Sequence, residues 1–82
     1  MSTTEKLYFS IISGLQDKNI KFKNLQKLLD ILGFDCRIRG DHFIYSYDNF
    51  RENINIQPSG NMAKPYQVKQ VRNFLQKYQI RF

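Results

Sequence analysis

The stretch Phe34-Asp35-Cys36-Arg37-Ile38-Arg39-Gly40-Asp41-His42-Phe43-Ile44-Tyr45-Ser46-Tyr47 decides how this chain folds. Cys36 and Ile38 alternate with Arg37 and Arg39, the period of two that puts apolar and basic side chains on opposite faces of a strand. Gly40-Asp41 is a two-residue hairpin signal, with Gly40 at the turn, and a second strand is expected over 42–47. Asp48-Asn49 makes the next turn, and 50–57, carrying Ile54 and Ile56, reads as a third strand. Gln57-Pro58-Ser59-Gly60-Asn61 then closes a three-stranded antiparallel meander, because proline cannot continue a ladder and glycine allows a turn.

Outward from this sheet the period lengthens to that of a helix. Leu25, Leu28, Leu29 and Leu32 recur at i, i+3, i+4 and i+7, with Lys23 or Asn24 at the start of the helix. Gly33 stops it and Phe34 folds back on its last turn. A further helix is predicted over 4–15 from Leu7, Tyr8, Ile11, Ile12 and Leu15, opened by Ser2 with Glu5 as a capping box. The link over 19–22 reads equally as a short strand or an extended lead-in. The last helix opens at Pro65, where a missing N–H costs nothing, and buries Val68, Val71, Leu75 and Tyr78. Its Lys69 and Arg72 fall away from that stripe, toward solvent or a ligand; residues 79–82 form a tail. The expected class is α+β: a three-stranded antiparallel sheet with helices on one face and the other face free.

A chain of 82 residues has room for one core and one site. Thirteen Lys and Arg face seven Asp and Glu, and no acid follows Glu52, so the basic residues beyond it favour a polyanionic partner. Cys36 is the only cysteine, which excludes an intrachain disulfide and a cysteine-based zinc site and leaves a packed thiol as the expected state. No carboxylate pair, P-loop, GxSxG, HExxH or dinucleotide fingerprint is present, so neither a metal nor an organic cofactor is expected. No apolar run approaches the ~20 residues of a membrane span and no signal pattern opens the chain, so a soluble, cytoplasmic protein is expected.

His42 is the only histidine, and histidine alone takes and gives a proton near neutral pH without a perturbed pKa. At the start of a strand after a tight turn its ring can reach solvent. Lys64 precedes the helix that opens at Pro65, and helix amino ends hold phosphate; Arg37 and Arg39 would contact further phosphates. Phe43, Tyr45 and Tyr47 share one side of the second strand, where a core face is the expected use and base stacking the alternative.

The leucine-rich run over 25–34, the segment Arg39-Gly40-Asp41-His42-Phe43-Ile44-Tyr45, the strand Ile54-Asn55-Ile56-Gln57-Pro58 and the stretch Ala63-Lys64-Pro65-Tyr66-Gln67-Val68-Lys69-Gln70-Val71 together resemble the HicA family of toxins, also called YcfA-like proteins. The likeness spans 20–78 of a single domain over 1–82, with 1–19 as an added helical extension. It implies a fold like the double-stranded-RNA-binding domain and a ribosome-independent mRNA interferase, the toxin of a toxin–antitoxin pair, neutralised by a HicB-type partner. The residue two positions after the turn glycine is the family's catalytic histidine, here His42. Many members read Gly-Ser-His-His where this chain has Gly40-Asp41-His42-Phe43, so no role for that serine or second histidine carries over. The implied chemistry is metal-independent, with His42 as general base toward an RNA 2′-hydroxyl or as general acid toward the leaving oxygen, and Lys64, Arg37, Arg39, Lys69 and Arg72 on phosphates. The alternative is a non-catalytic RNA-binding module of the same fold, which needs the lysines but not His42.

Overall fold

The structure, a computed structural model, describes residues 2–82. Three helices and a three-stranded antiparallel sheet make a small α+β fold: α1 (Thr3–Ser13), a 3-10 turn (Asp17–Asn19), α2 (Phe22–Ile31), β1 (Asp35–Arg39), β2 (His42–Ser46), β3 (Ile54–Ile56), a two-residue hairpin of β4 (Pro58–Ser59) and β5 (Met62–Ala63), and α3 (Pro65–Lys77). The sheet order is β1-β2-β3, with Arg39 opposite His42 and Tyr45 opposite Ile54.

Local chemistry sets the element ends. The Ser2 hydroxyl accepts from the Glu5 N–H at 3.1 Å while the Ser2 N–H donates to the Glu5 carboxylate, satisfying donors that a helix start leaves free. α1 stops at Ser13 because Gly14 turns the chain at φ +75°, and Leu15, expected on the buried stripe, stands 81% exposed beyond that turn. α2 starts earlier than Lys23 or Asn24: Lys21 is its N-cap with no side-chain bond, and the Phe22 N–H donates to the Asn61 carbonyl instead. At its other end the Phe34 N–H closes back on the Leu29 carbonyl past Gly33, as expected. Residues 19–22 resolve into the end of the 3-10 turn and a single bridge from Lys21 to Met62.

The third strand is shorter than expected, three residues instead of eight, because Phe50 leaves the ladder to stack on Tyr78 at 4.2 Å. The segment after it is not a plain closing turn. Pro58 opens β4, paired with Ala63 across a Gly60-Asn61 turn; Gly60 at φ +62° and Gly40 at φ +63° both occupy the first central position that a II′ hairpin reserves for glycine. Pro58 is accommodated there because it begins a two-residue edge strand.

The core joins Ile11, Leu25, Leu28, Leu29, Ile54, Ile56, Val68 and Val71, all fully buried, with Phe34, Tyr45 and Phe74. The aromatic row of β2 belongs to it: Tyr45 is buried, Phe43 meets Phe22 and Tyr47 meets Phe34. Phe74 joins the stripe of α3, and the tail packs too, Ile80 being buried with its carbonyl accepting from the Tyr8 hydroxyl at 2.8 Å. α1 contributes Tyr8 and Ile11 to the same core.

Cys36, expected as a packed thiol, is exposed, and Ile38 beside it is 64% exposed. Their side of β1 is the apolar one, but β1 is the outer strand and no residue of it is buried. No helix of the described residues is long and apolar enough to cross a membrane.

Candidate active site

The face of the sheet away from the core carries Arg37 and Arg39 from β1, His42 and Ile44 from β2 and Asn55 from β3, all but Ile44 exposed. Strand alternation puts them there, since Tyr45, Ile54 and Ile56 take the other face. Arg39 and His42 are direct cross-strand partners at the hairpin end, so their side chains are near neighbours.

Asn55 pairs with Ile44, which sets it diagonal to His42, and the two side chains meet with Nδ1 of His42 3.1 Å from Oδ1 of Asn55. An amide oxygen only accepts, so Nδ1 carries the proton and donates it. With Nδ1–H so tied, Nε2 lies on the side of the Asp41 carboxylate, 3.8 Å away. The His42 side chain is 49% exposed, open to a ligand without being loose.

Asp41 is fixed in turn. The Gln57 carboxamide donates to its carboxylate, and this contact first, then a backbone hydrogen bond at Asp41 itself, holds its pKa below the usual carboxylate range. Lys64 is linked to this group through Gln67, whose N–H donates to the Lys64 carbonyl at 2.9 Å and whose side chain holds Gln57, the partner of Asp41. Lys64 is the N-cap of α3 and lends no side-chain bond to it, and Pro65 follows at the first helical position. Gln57 is anchored from beneath: its backbone N–H, one residue past the end of β3, donates to Oε1 of Gln67 at 3.2 Å. Gln67 is only 3% exposed, a buried polar side chain that replaces the ladder partner the backbone lost.

The fold thus brings His42, Asp41 and Arg39 to one end of the sheet, with Arg37 farther along the same face and Lys64 joined to them only through Gln67 and Gln57. Lys69 is exposed on α3. Arg72 is not brought to this group. Instead of facing solvent, its Nη1 donates to Asp17 at 3.0 and 3.1 Å and to the Ile11 carbonyl at 3.1 Å, with the Arg72 side chain 15% exposed. It caps the carboxyl end of α1, which has no basic residue in its own last turn. Lys77 is likewise engaged, with Glu52 at 2.7 Å.

Sequence reasoning did not single out Asn55, Gln57 or Gln67. Asn55 carried a signal, a polar residue between Ile54 and Ile56, but its partner depends on strand register. Gln67 had none, since a glutamine in the first turn of a helix ordinarily faces water. Comparison of the chain with family models, with curated proteins and with solved structures gives no match.

Proposed function

We propose that the protein is an endoribonuclease of HicA type, an mRNA interferase acting in the cytoplasm and neutralised by a HicB-like partner, with His42 as its catalytic base. The observation that carries this reading is the half-exposed imidazole whose Nδ1–H is tied to Asn55, with Arg39 as its cross-strand neighbour. The order α2-β1-β2-β3-α3, with a core on one face of the sheet only, supports a double-stranded-RNA-binding-like core.

In this mechanism Nε2 takes the proton of an RNA 2′-hydroxyl as its oxygen bonds to the adjacent phosphorus. The bond from phosphorus to the 5′-oxygen breaks, leaving a 2′,3′-cyclic phosphate, and the 5′-oxygen takes a proton from water. Lys64 and Arg39 stabilise the charge that gathers on the phosphoryl oxygens. Asp41 pairs with the imidazolium once formed, which offsets its repulsion of phosphate. A positioned base contributes about 10² to 10⁴-fold, which suits a slow toxin.

The test is expression of the wild type and His42→Ala with growth and mRNA length followed, and incubation of both purified proteins with single-stranded RNA in EDTA. The wild type should arrest growth and cut RNA without metal, and His42→Ala should do neither. Equal arrest by His42→Ala would remove the histidine from the mechanism. Binding without cutting by both would instead assign a non-catalytic RNA-binding module. A HicB-like reading frame beside this one would support the partner.

A further inference from the structure

Between the start of α2 and the β4–β5 hairpin lies a cleft of about 500 Å³, lined by Lys21, Phe22, Lys23, Gln26, Phe43 and Asn61. That volume suits a small-molecule site, where an apolar floor is combined with a few directed polar groups. The floor is the pair Phe22 and Phe43, whose rings meet edge to face at 5.2 Å, and Phe43 is only partly buried. The walls hold together because the Asn61 carbonyl accepts from the Phe22 N–H and the Ile20 carbonyl from the Ala63 N–H.

The rim is cationic. Lys21 and Lys23 are exposed, and among the described residues neither reaches an acid within ion-pair distance. They also flank the amino end of a helix with no acid in its first turn, so their charges oppose its dipole until an anion arrives. Gln26 and Asn61 add carboxamides, which donate and accept as a nucleobase edge requires. An aromatic floor, two cations and two amides match one nucleotide: base on ring, phosphate on lysine.

We propose that this cleft takes an unpaired nucleobase of the RNA against Phe43, with the adjoining phosphate on Lys21 and Lys23; the proposal rests on the ribonuclease reading above. Phe43 follows His42 on β2, so the cleft opens on the helix side of the strand whose other side presents the imidazole. A flexible strand rounding the Gly40-Asp41 end of the sheet meets both, whereas a duplex offers no unstacked base. The substrate class is therefore single-stranded RNA.

The test uses the His42→Ala protein, which leaves RNA intact, titrated with a single-stranded oligoribonucleotide bearing 2-aminopurine at several salt concentrations, with wild-type cleavage of the same RNA run in parallel. Adding Lys21→Gln and Lys23→Gln should weaken binding roughly ten-fold and shrink the log–log salt slope by about 0.7 for each phosphate no longer neutralised. Phe43→Leu should weaken binding roughly ten-fold at every salt concentration and abolish 2-aminopurine quenching with the slope unchanged. If Phe43→Leu does not fold, the two exposed lysines carry the test alone. Unchanged affinity and slope in the lysine variant, with the wild type still cutting, would overturn the cleft and leave the ribonuclease reading standing. The same weakening on a duplex of equal length would also overturn it. Absence of both cutting and binding in every protein would remove the ribonuclease reading and the cleft with it.

Discussion

Replacing Arg72 by alanine should damage the fold, not the handling of RNA. One guanidinium nitrogen serves both Asp17 oxygens and the Ile11 carbonyl, and the Arg72 and Asp17 side chains are 15% and 22% exposed. Hydrogen bonds to a charged group contribute about 1.5–3 kcal/mol, an exposed pair about 0–1 and a fully buried pair broken on one side about 3–5. Partial burial puts Arg72→Ala between these, at about 2–3 kcal/mol. Each kcal/mol moves the midpoint of a domain of this size by about 4–8 °C, so a fall on the order of 10–20 °C is expected by calorimetry or circular dichroism. Gly14 sharpens the case: at φ +75° a Cβ there would lie 3.2 Å from the Arg72 guanidinium, so the chain keeps glycine where the arginine passes. Lys69→Ala, on an exposed face of the same helix, should stay within about 0.5 kcal/mol of wild type. A cycle of Arg72→Ala with Asp17→Ala should show coupling above about 1 kcal/mol. An Arg72→Ala protein that melts like wild type and loses RNA affinity would refute the structural role and return this arginine to the phosphates.

Asn55→Ala should lower kcat about three- to ten-fold with RNA affinity kept, since it removes the one neutral hydrogen bond that positions the His42 ring, while Asn55→Asp, which puts a carboxylate there, should move the acidic limb of catalysis to higher pH; an unchanged pH profile in Asn55→Asp would count against the positioning. Tyr8→Phe removes the donor to the buried Ile80 carbonyl and should cost about 1 kcal/mol in urea unfolding, a neutral result meaning that water replaces it. Glu52 is held below its usual pKa by Lys77 first and Tyr78 second, and Lys77 above its own by Glu52 first. The Glu52 contribution is present above the ordinary carboxylate value of 4.5 and lost as pH falls through its lowered folded value; that of Lys77 is present below 10.5 and lost as pH rises through its raised one. Glu52→Gln should flatten both limbs of a midpoint-against-pH curve, and a curve superimposable on wild type would dismiss the pair.

Much of the fold was legible because its signals are local. The alternation of Cys36 to Arg39, glycine at 40, the leucine stripe ending at Gly33 and proline at 65 each act within a few residues, and each sits where the structure has the element. Ser2 with Glu5 capped a helix for the same reason. His42 at a hairpin exit was legible on the same terms. Where local signals misled, a partner distant along the chain had decided: Phe50 left β3 for Tyr78, and Pro58 found Ala63.

Charge shows the division most clearly. Along the chain the basic residues after Glu52 stand without acids, yet in space Arg72 meets Asp17 and Lys77 meets Glu52, leaving Lys64, Lys69 and Arg81 of that set outside the ion pairs among the described residues. The amino-acid order alone determined the α+β class, the core stripes and the single candidate imidazole, because backbone propensity and side-chain period depend on near neighbours. Only the tertiary structure decided which cations are free, which side chain His42 is bonded to and what the burial of Gln67 is for. Those depend on register and on packing between residues far apart in the chain, which no periodicity encodes.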